Sequence, residues 1–368
     1  MKKTFNYLFA LILFFSLFIN PVLAQENGIE TNKELLIGKV DQVLSEEEET
    51  SQTQSGEDIN FLVQELRVDI LKGSLKGKKI TIENDYYPLK KGQRVYLLYS
   101  VVNGEENFSY PHPVRIPYLI ILTGIFFLAI VFFAKKQGLK SFLTILFSLL
   151  VVFFFVLPQI SKGASPVLIA LSAGLVIVIV TLYFVYGWNK KTHAALLGTI
   201  SSLFLVFFLS LVFSSLISLT GQANEQALHI RFLWGDLINL KGLLLATIII
   251  GAIGALNDVA VDQSSTVFAL KEANPKLGIK ELYRRAINVG KDHLLATINT
   301  LVLAYIGIAL PLLLVVGVFQ DLPLVYMLNN EIFAEEITRT LLASLGLIAV
   351  TPLTTLFASL WAHKEKEK

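Results

Sequence analysis

No cysteine occurs among the 368 residues, and methionine occurs only twice. Disulfides, thiol nucleophiles and cysteine-held zinc or iron–sulfur centres are therefore excluded. Charge is scarce too, since Asp, Glu, Lys and Arg fill 16% of positions. Five scattered histidines are a poor basis for a zinc site. The strings HExxH, Gly-x-Ser-x-Gly and GxxxxGK[ST] are also missing, which argues against a zinc protease, a serine hydrolase or a phosphate-loop ATPase. An intramembrane aspartyl protease would need a second catalytic aspartate on another helix, and Asp292 sits too near a loop to serve. The chain reads as a non-enzyme without cofactor or metal.

What is abundant is apolar surface. Hydrophobic residues make up 54% and mean hydropathy is +0.62, outside the range of a soluble globular chain. A polytopic membrane protein is expected, with the lipid bilayer as its first partner. The net charge of +2 hides a segregation, acidic before Arg115 and basic in the short later loops, which points to membrane orientation and not to nucleic acid. The opening "MKKTFNYLFALILFFSLFINPVLAQENG" has two lysines, an apolar core, Pro21 and small residues up to Ala24. It reads as a secretory signal peptide over 1–24, or as an uncleaved signal anchor. Either places the next segment outside.

Residues 25–114 change character. The runs "LLIGKVDQVL", "FLVQELRVDIL", "KKITIEN" and "QRVYLLYSVV" alternate with period two between glycines, predicting four or five antiparallel strands in a small extracytoplasmic β-barrel or β-sandwich. The acidic stretch 45–58, with Glu46 to Glu49, reads as a disordered, solvated strand connection. Seven apolar runs follow, at 117–134, 140–158, 166–188, 194–219, 242–262, 294–319 and 337–361, each about the 20 residues a crossing needs. A cytoplasmic tail over 362–368 closes the chain. With the β domain outside, the inner loops hold 14 Lys and Arg against three in the outer loops, in keeping with the positive-inside rule. The amphipathic "LGIKELYRRAINVG" is expected to lie as a helix along the cytoplasmic interface.

Polar groups inside the fifth run carry the functional reading. In "GAIGALNDVAVDQSS", Thr247, Gly251, Gly254, Asp258, Asp262, Ser265, Ala269 and Glu272 recur at intervals of four or three and share one helical face. Asn257 lies beside it. The other faces carry Ile248, Ile249, Ile250, Ile253, Leu256, Val259 and Val261, which suit lipid or apolar neighbours. The sixth run shows a matching stripe, His293, Thr297, Thr300, Ala304, Gly307 and Pro311, so the two small-and-polar faces are expected to meet. Asn299 and Tyr305 point elsewhere on that helix. A carboxylate near mid-membrane costs about 2.5–3.5 kcal/mol on insertion scales and is normally paired, protonated or hydrated. Two of them one turn apart repel when both are charged, which couples their titrations. The same aspartates could instead cap a helix or bond Thr297 and His293 in a structural seam.

The strings "GDLINLKGLLLATIIIGAIGALNDVAVDQSS" and "KELYRRAINVGKDHLLATINTLVLAYIG", with "ILKGSLKGKKITIEN" and "NKKTHAALLGT", resemble the YibE/YibF-like family of bacterial integral membrane proteins. The chain is similar to the longer, YibE-like branch, which carries an ectodomain. The resemblance implies Gly251, Gly254, Asp258, Gly290, Asp292, Asn299, Thr300 and Tyr305 as family positions, while Asn257 and Asp262 depart from the pattern. It also implies a bacterial cell-membrane location and a shorter YibF-like companion as a hetero-oligomeric partner, but no substrate.

Two functions compete on these residues. One is a permease or ion-coupled transporter, with Asp258 as the protonatable or cation-binding group and Asp262, Asn257, Gly251, Gly254, Thr297, Thr300 and Asn299 around it. His293, Asp292, Gly290 and Tyr305 would then serve as interface or gating residues, and a small ion or solute would be the ligand. The other is a scaffold, export accessory or envelope sensor whose extracytoplasmic domain binds a ligand or protein.

Overall fold

The computed structural model describes residues 33–52, 58–85, 87–102, 104–109, 111–318 and 323–363. The signal-peptide reading lies outside them. Two compact units divide the chain, one ending at Ala129 and the other beginning at Ile130.

In the first unit, β1 (Glu34–Gln52), β2 (Asp58–Lys72), β3 (Lys79–Asn84), β4 (Arg94–Val102), β5 (Glu105–Phe108) and β6 (His112–Pro113) form one antiparallel sheet. The order is β3-β2-β1-β4-β5, with β6 also on β4. Among the described residues nothing pairs β3 with β5, so by hydrogen bonding the sheet is open and not a closed barrel. Period two does its expected work: Leu36 and Val40, Leu66, Val68 and Ile70, and Val95 and Leu97 fall on one buried face.

The acidic stretch corrects the sequence reading. Its part over 45–52 is not a free loop, because β1 runs to Gln52 and pairs Glu46 with Gln64 and Glu48 with Leu62, while 53–57 lie outside the described residues. Backbone pairing tolerates the like charges because Glu46 to Glu49 stay exposed and two of them find donors. Gln64 Nε2 donates to Glu46 at 3.0 Å and Asn60 Nδ2 to Glu48 at 3.4 Å. Beneath them, Gln64 and Asn84 are buried and hold the loop before β4. Asn84 Nδ2 donates to Gln64 Oε1 and to the Tyr87 carbonyl, while the Leu89 N–H donates to the same Gln64 oxygen.

After the sheet the described residues are helical, and the first helix crosses the boundary between the two units. Helix α1 (Ile116–Val151) is broken at Lys135, whose φ of 50° and ψ of −126° are not helical. A π turn (Val152–Val156) and the short α2 (Leu157–Ser161) extend it. Together they make a 46-residue apolar element, about 70 Å if straight, more than twice an apolar bilayer core. The runs at 117–134 and 140–158 therefore share one element but flank a break. Gly138 makes the break possible, since a Cβ there would sit 2.3 Å from the Ile130 carbonyl oxygen. Then come α3 (Pro166–Tyr186), α4 (Lys190–Leu216), α5 (Glu225–Trp234), α6 (Leu240–Ala273), α7 (Ile279–Val318), α8 (Leu324–Leu328) and α9 (Glu331–His363). Six elements, counting the broken first as one, are long and apolar enough to cross a membrane.

Helix α6 is the centre, packed by α3, α4, α7 and α9. Its Ile248, Ile249, Leu256 and Val259 join Leu182, Leu203, Val206, Leu347 and Val350 in the main core, so the aliphatic faces assigned to lipid or apolar neighbours meet helices. Helix α4 comes close to α9 at Gly198, where a Cβ would lie 1.8 Å from Thr354 Oγ1. At the Lys190 end, Tyr183, Trp188, His193 and Trp361 cluster, with Tyr183 Oη 2.7 Å from His193 Nδ1. A second correction concerns "LGIKELYRRAINVG", which continues straight into α7 in place of a separate surface helix. Leu277, Leu282 and Ala286 are buried against Val267, Ala194 and Ala358, and that packing holds the segment on the bundle.

Two expectations follow for the sheet unit. Asn84→Ala removes two hydrogen bonds at a buried position and should lower local stability by about 1–3 kcal/mol. Hydrogen exchange on the full-length protein checks this, and unchanged protection in β2 and β3 would contradict it. Lys79 Nζ donates to Asp41 Oδ2 at 2.7 Å, which holds the Asp41 carboxyl below its ordinary 3.8. That depressed value makes the pair's contribution present above about pH 4 and lost as pH falls below it. Asp41→Asn should flatten the acid dependence of exchange in β1 and β3.

Candidate functional site

The small-and-polar stripe of α6 is the face its neighbours leave open. Thr247, Gly251, Gly254, Asp258, Asp262, Ala269 and Glu272 are exposed in the chain, whereas residues on the other faces are buried or half-buried. A 3.6-residue repeat produces this division directly, because the large aliphatic residues drive one set of faces inward and leave the remaining one outside.

Helix α7 touches this stripe at particular points. His293 Nε2 lies 3.0 Å from Asp262 Oδ2, a contact that becomes an ion pair when the imidazole is protonated. Tyr305 reaches Gly251, where a Cβ would come within 2.8 Å of its hydroxyl. Asp258 lies within electrostatic reach of Asp262 and His293, and Tyr186 of α3 lies within reach of both carboxylates. Two carboxylates, an imidazole and a phenol thus converge on one face, groups able to exchange protons or hold a small cation.

The expected meeting of two small-residue stripes does not form. Leu294, Ile298, Leu301 and Tyr305 are the α7 residues that pack on the core, while Thr300, Ala304, Gly307 and Pro311 are exposed. The reason is reach: these larger side chains span the gap, so the backbones stay apart and nothing lies within 4 Å of a Cβ built on Gly254 or Gly307. Tyr305, expected to point away, is therefore one of the bridging residues. Thr297 and Thr300 hydroxyls donate to the carbonyls of His293 and Ala296 on their own helix. Asp292 and Asn299 are exposed. Asn257 is half-buried, and its Oδ1 is enclosed without a hydrogen-bond partner among the described residues.

Gln263 was missed by sequence reasoning. It is 3% exposed, and its Nε2 donates to the Ala286 carbonyl at 3.0 Å and to Thr355 Oγ1 at 2.7 Å, joining α6 to α7 and α9. Gly290 faces it, with room for no Cβ, since one would lie 1.9 Å from Gln263 Oε1. The only sequence signal was an amide just off the polar stripe. Tyr186 was missed because a tyrosine ending an apolar run reads as an interfacial anchor. No group of three or more His, Asp and Glu side chains that could hold a metal ion occurs among the described residues.

With the α6–α7 contacts placed, the comparisons with known families fall on the same segments. The YibE/F-like protein family matches residues 122–364, and the YibE/F family N-terminal domain matches residues 33–107. The chain belongs to the YibE/F-like family. Both halves of the architecture, sheet unit and helical unit, are covered by these YibE/F-type matches. No curated protein and no solved structure matches it.

Because Gly290 and Gln263 act through the same two hydrogen bonds, their substitutions should not add. Gly290→Ala and Gln263→Ala should each cost about 1–3 kcal/mol, and the double variant little more than either. Thermal unfolding of the purified protein measures this, and strict additivity would show that the two sites are independent.

Proposed function

We propose that this YibE/F-like chain is a multi-pass protein of the bacterial cell membrane and acts as a permease or ion-coupled transporter. Asp258 is its proton- or cation-binding group, on the face where α6 meets α7. The observation that carries the reading is the open stripe of α6, which puts Asp258 and Asp262 one turn apart on a helix otherwise enclosed by apolar neighbours. In a bilayer such a face needs water, a counter-charge or a protein partner. Small residues beside it leave room for an ion or for a partner backbone.

In this reading the chain crosses seven times, with the break at Lys135 separating the first two crossings. The sheet unit is outside, the C-terminus is cytoplasmic, and a shorter YibF-like protein is a natural companion for the open face. A second reading is favoured by the folded N-terminal unit, which a minimal transporter does not need. There the sheet would bind a ligand or protein, and the helices would relay or assemble.

The deciding experiment records charge movement by full-length protein in proteoliposomes on a solid-supported membrane, under proton, sodium and divalent-cation jumps. A transient current that Asp258→Asn abolishes, with folding intact, is expected. A silent Asp258→Asn, together with loss of cellular phenotype on deleting residues 25–112, would favour the sensor or scaffold.

A further inference from the structure

A second acidic group lies far along the fold from Asp258, at the start of α9. Glu331, Glu335, Glu336 and Arg339 occupy its first three turns. Three of the four have partners. Glu331 accepts from the backbone N–H groups of Thr220 and Gly221 and from the Thr220 hydroxyl, which ties the loop after α4 to α9. Glu336 Oε1 accepts from Arg339 Nη1 at 2.8 Å. Among the described residues Glu335 has neither an ion pair nor a hydrogen-bond partner, although it is 2% exposed and its Oε1 is fully enclosed.

Helix capping does not account for Glu335. The free N–H groups of a helix belong to its first four residues, here 331–334, and Glu335 comes after them. Nor does exchanging partners. Arg339 lies one turn beyond Glu335, but a guanidinium bridging both acids would still bring one positive charge to two carboxylates. Three carboxylates share one guanidinium, Glu331 is compensated by backbone donors, and one acid remains without a countercharge under either pairing. Glu336 Oε2 is itself enclosed and unbonded, and the enclosed, unbonded Arg339 Nε belongs to the one guanidinium already counted.

The surrounding elements supply little more. From α7 comes the Tyr305 phenol, near Arg339 and Glu336. Lys241 of α6 is not among the charged groups that act on Glu335, which are Glu331, Glu336 and Arg339, and its Nζ lies 3.5 Å from Ser215 Oγ of α4. Helix α4 carries no charged residue after Lys191, and α8 carries none. A mostly apolar cavity of about 210 Å³, lined by Tyr305, Leu313, Phe333, Glu336 and Thr340, opens beside the pair.

We propose that Glu335 is a binding site for one positive charge, a proton or a small monovalent cation, distinct from the Asp258 face. A buried carboxylate lacking donors is stable only when such a charge accompanies it. The proposal does not depend on Asp258 carrying transport.

The test uses full-length protein in detergent, comparing wild type with Glu335→Gln, Glu336→Gln and Lys241→Gln. Infrared spectra across a pH series look for the carbonyl band of a protonated carboxyl. Thermal unfolding is followed in sodium, potassium and choline chloride at equal ionic strength. If the ligand is a proton, the wild type shows a carboxyl band that Glu335→Gln loses and Glu336→Gln keeps. If it is an alkali cation, sodium or potassium raises the wild-type Tm above that in choline, and Glu335→Gln abolishes the difference. A wild type showing neither signal overturns the proposal without any variant, and so does a signal that survives in Glu335→Gln. Should Glu335→Gln fail to fold, Glu335→Asp must shift the band or alter the cation preference, and no change in either overturns the site. If Lys241→Gln reproduces the effect of Glu335→Gln, the charge is supplied by Lys241, which also overturns it.

Discussion

The helical unit depends on burying three faces of α6. Ile248, Ile249, Leu256 and Val259 pack against α3, α4 and α9, and those contacts decide which residues of the same helix remain outside. The open stripe is the residue of a packing problem solved on its other faces. A helix with branched aliphatics on most sides and Gly, Thr and Asp on one has a single low-energy orientation among apolar neighbours. Turning it by 100° would enclose Asp258 without a partner, which costs more than a lost apolar contact.

Around that axis, polar side chains do the joining that apolar packing cannot specify. Gln263 connects three helices through two hydrogen bonds. Ser264 Oγ donates to the Lys191 carbonyl and secures the start of α4. Glu331 holds the loop after α4 against α9. Such bonds give register to helices whose aliphatic surfaces would tolerate sliding. Asp262 with His293 is different in kind, because both side chains remain about half exposed and the contact is free to answer changes in protonation.

Much of this could be read from residue order. The period-two runs gave the strands, and the stripe from Thr247 to Glu272 was visible as a repeat. The alternation failed at Glu46 to Glu49, where local charge suggested a loop and pairing with β2 made a strand. It failed again at "LGIKELYRRAINVG", whose amphipathic pattern suits a membrane surface and a bundle surface equally well. Only the burial of Leu282 and Ala286 distinguishes the two. In both places the local pattern was compatible with two environments, and a neighbour distant in sequence selected one.

What the sequence by itself determined is the division into a β unit and an apolar helical unit, the approximate positions of the helices, and the placing of Asp258 and Asp262 on one face. These follow from composition and from the 3.6- and two-residue repeats, which depend on nothing beyond the chain. Tertiary structure alone decided that this face is the open one, that Tyr305 and not Gly307 meets α6, and that Gln263 is a joint. It also left Glu335 without a partner while Glu336 took Arg339. The reason is physical: a repeat specifies which residues share a side, whereas burial and pairing are set by which other helix arrives there and how far its side chains reach.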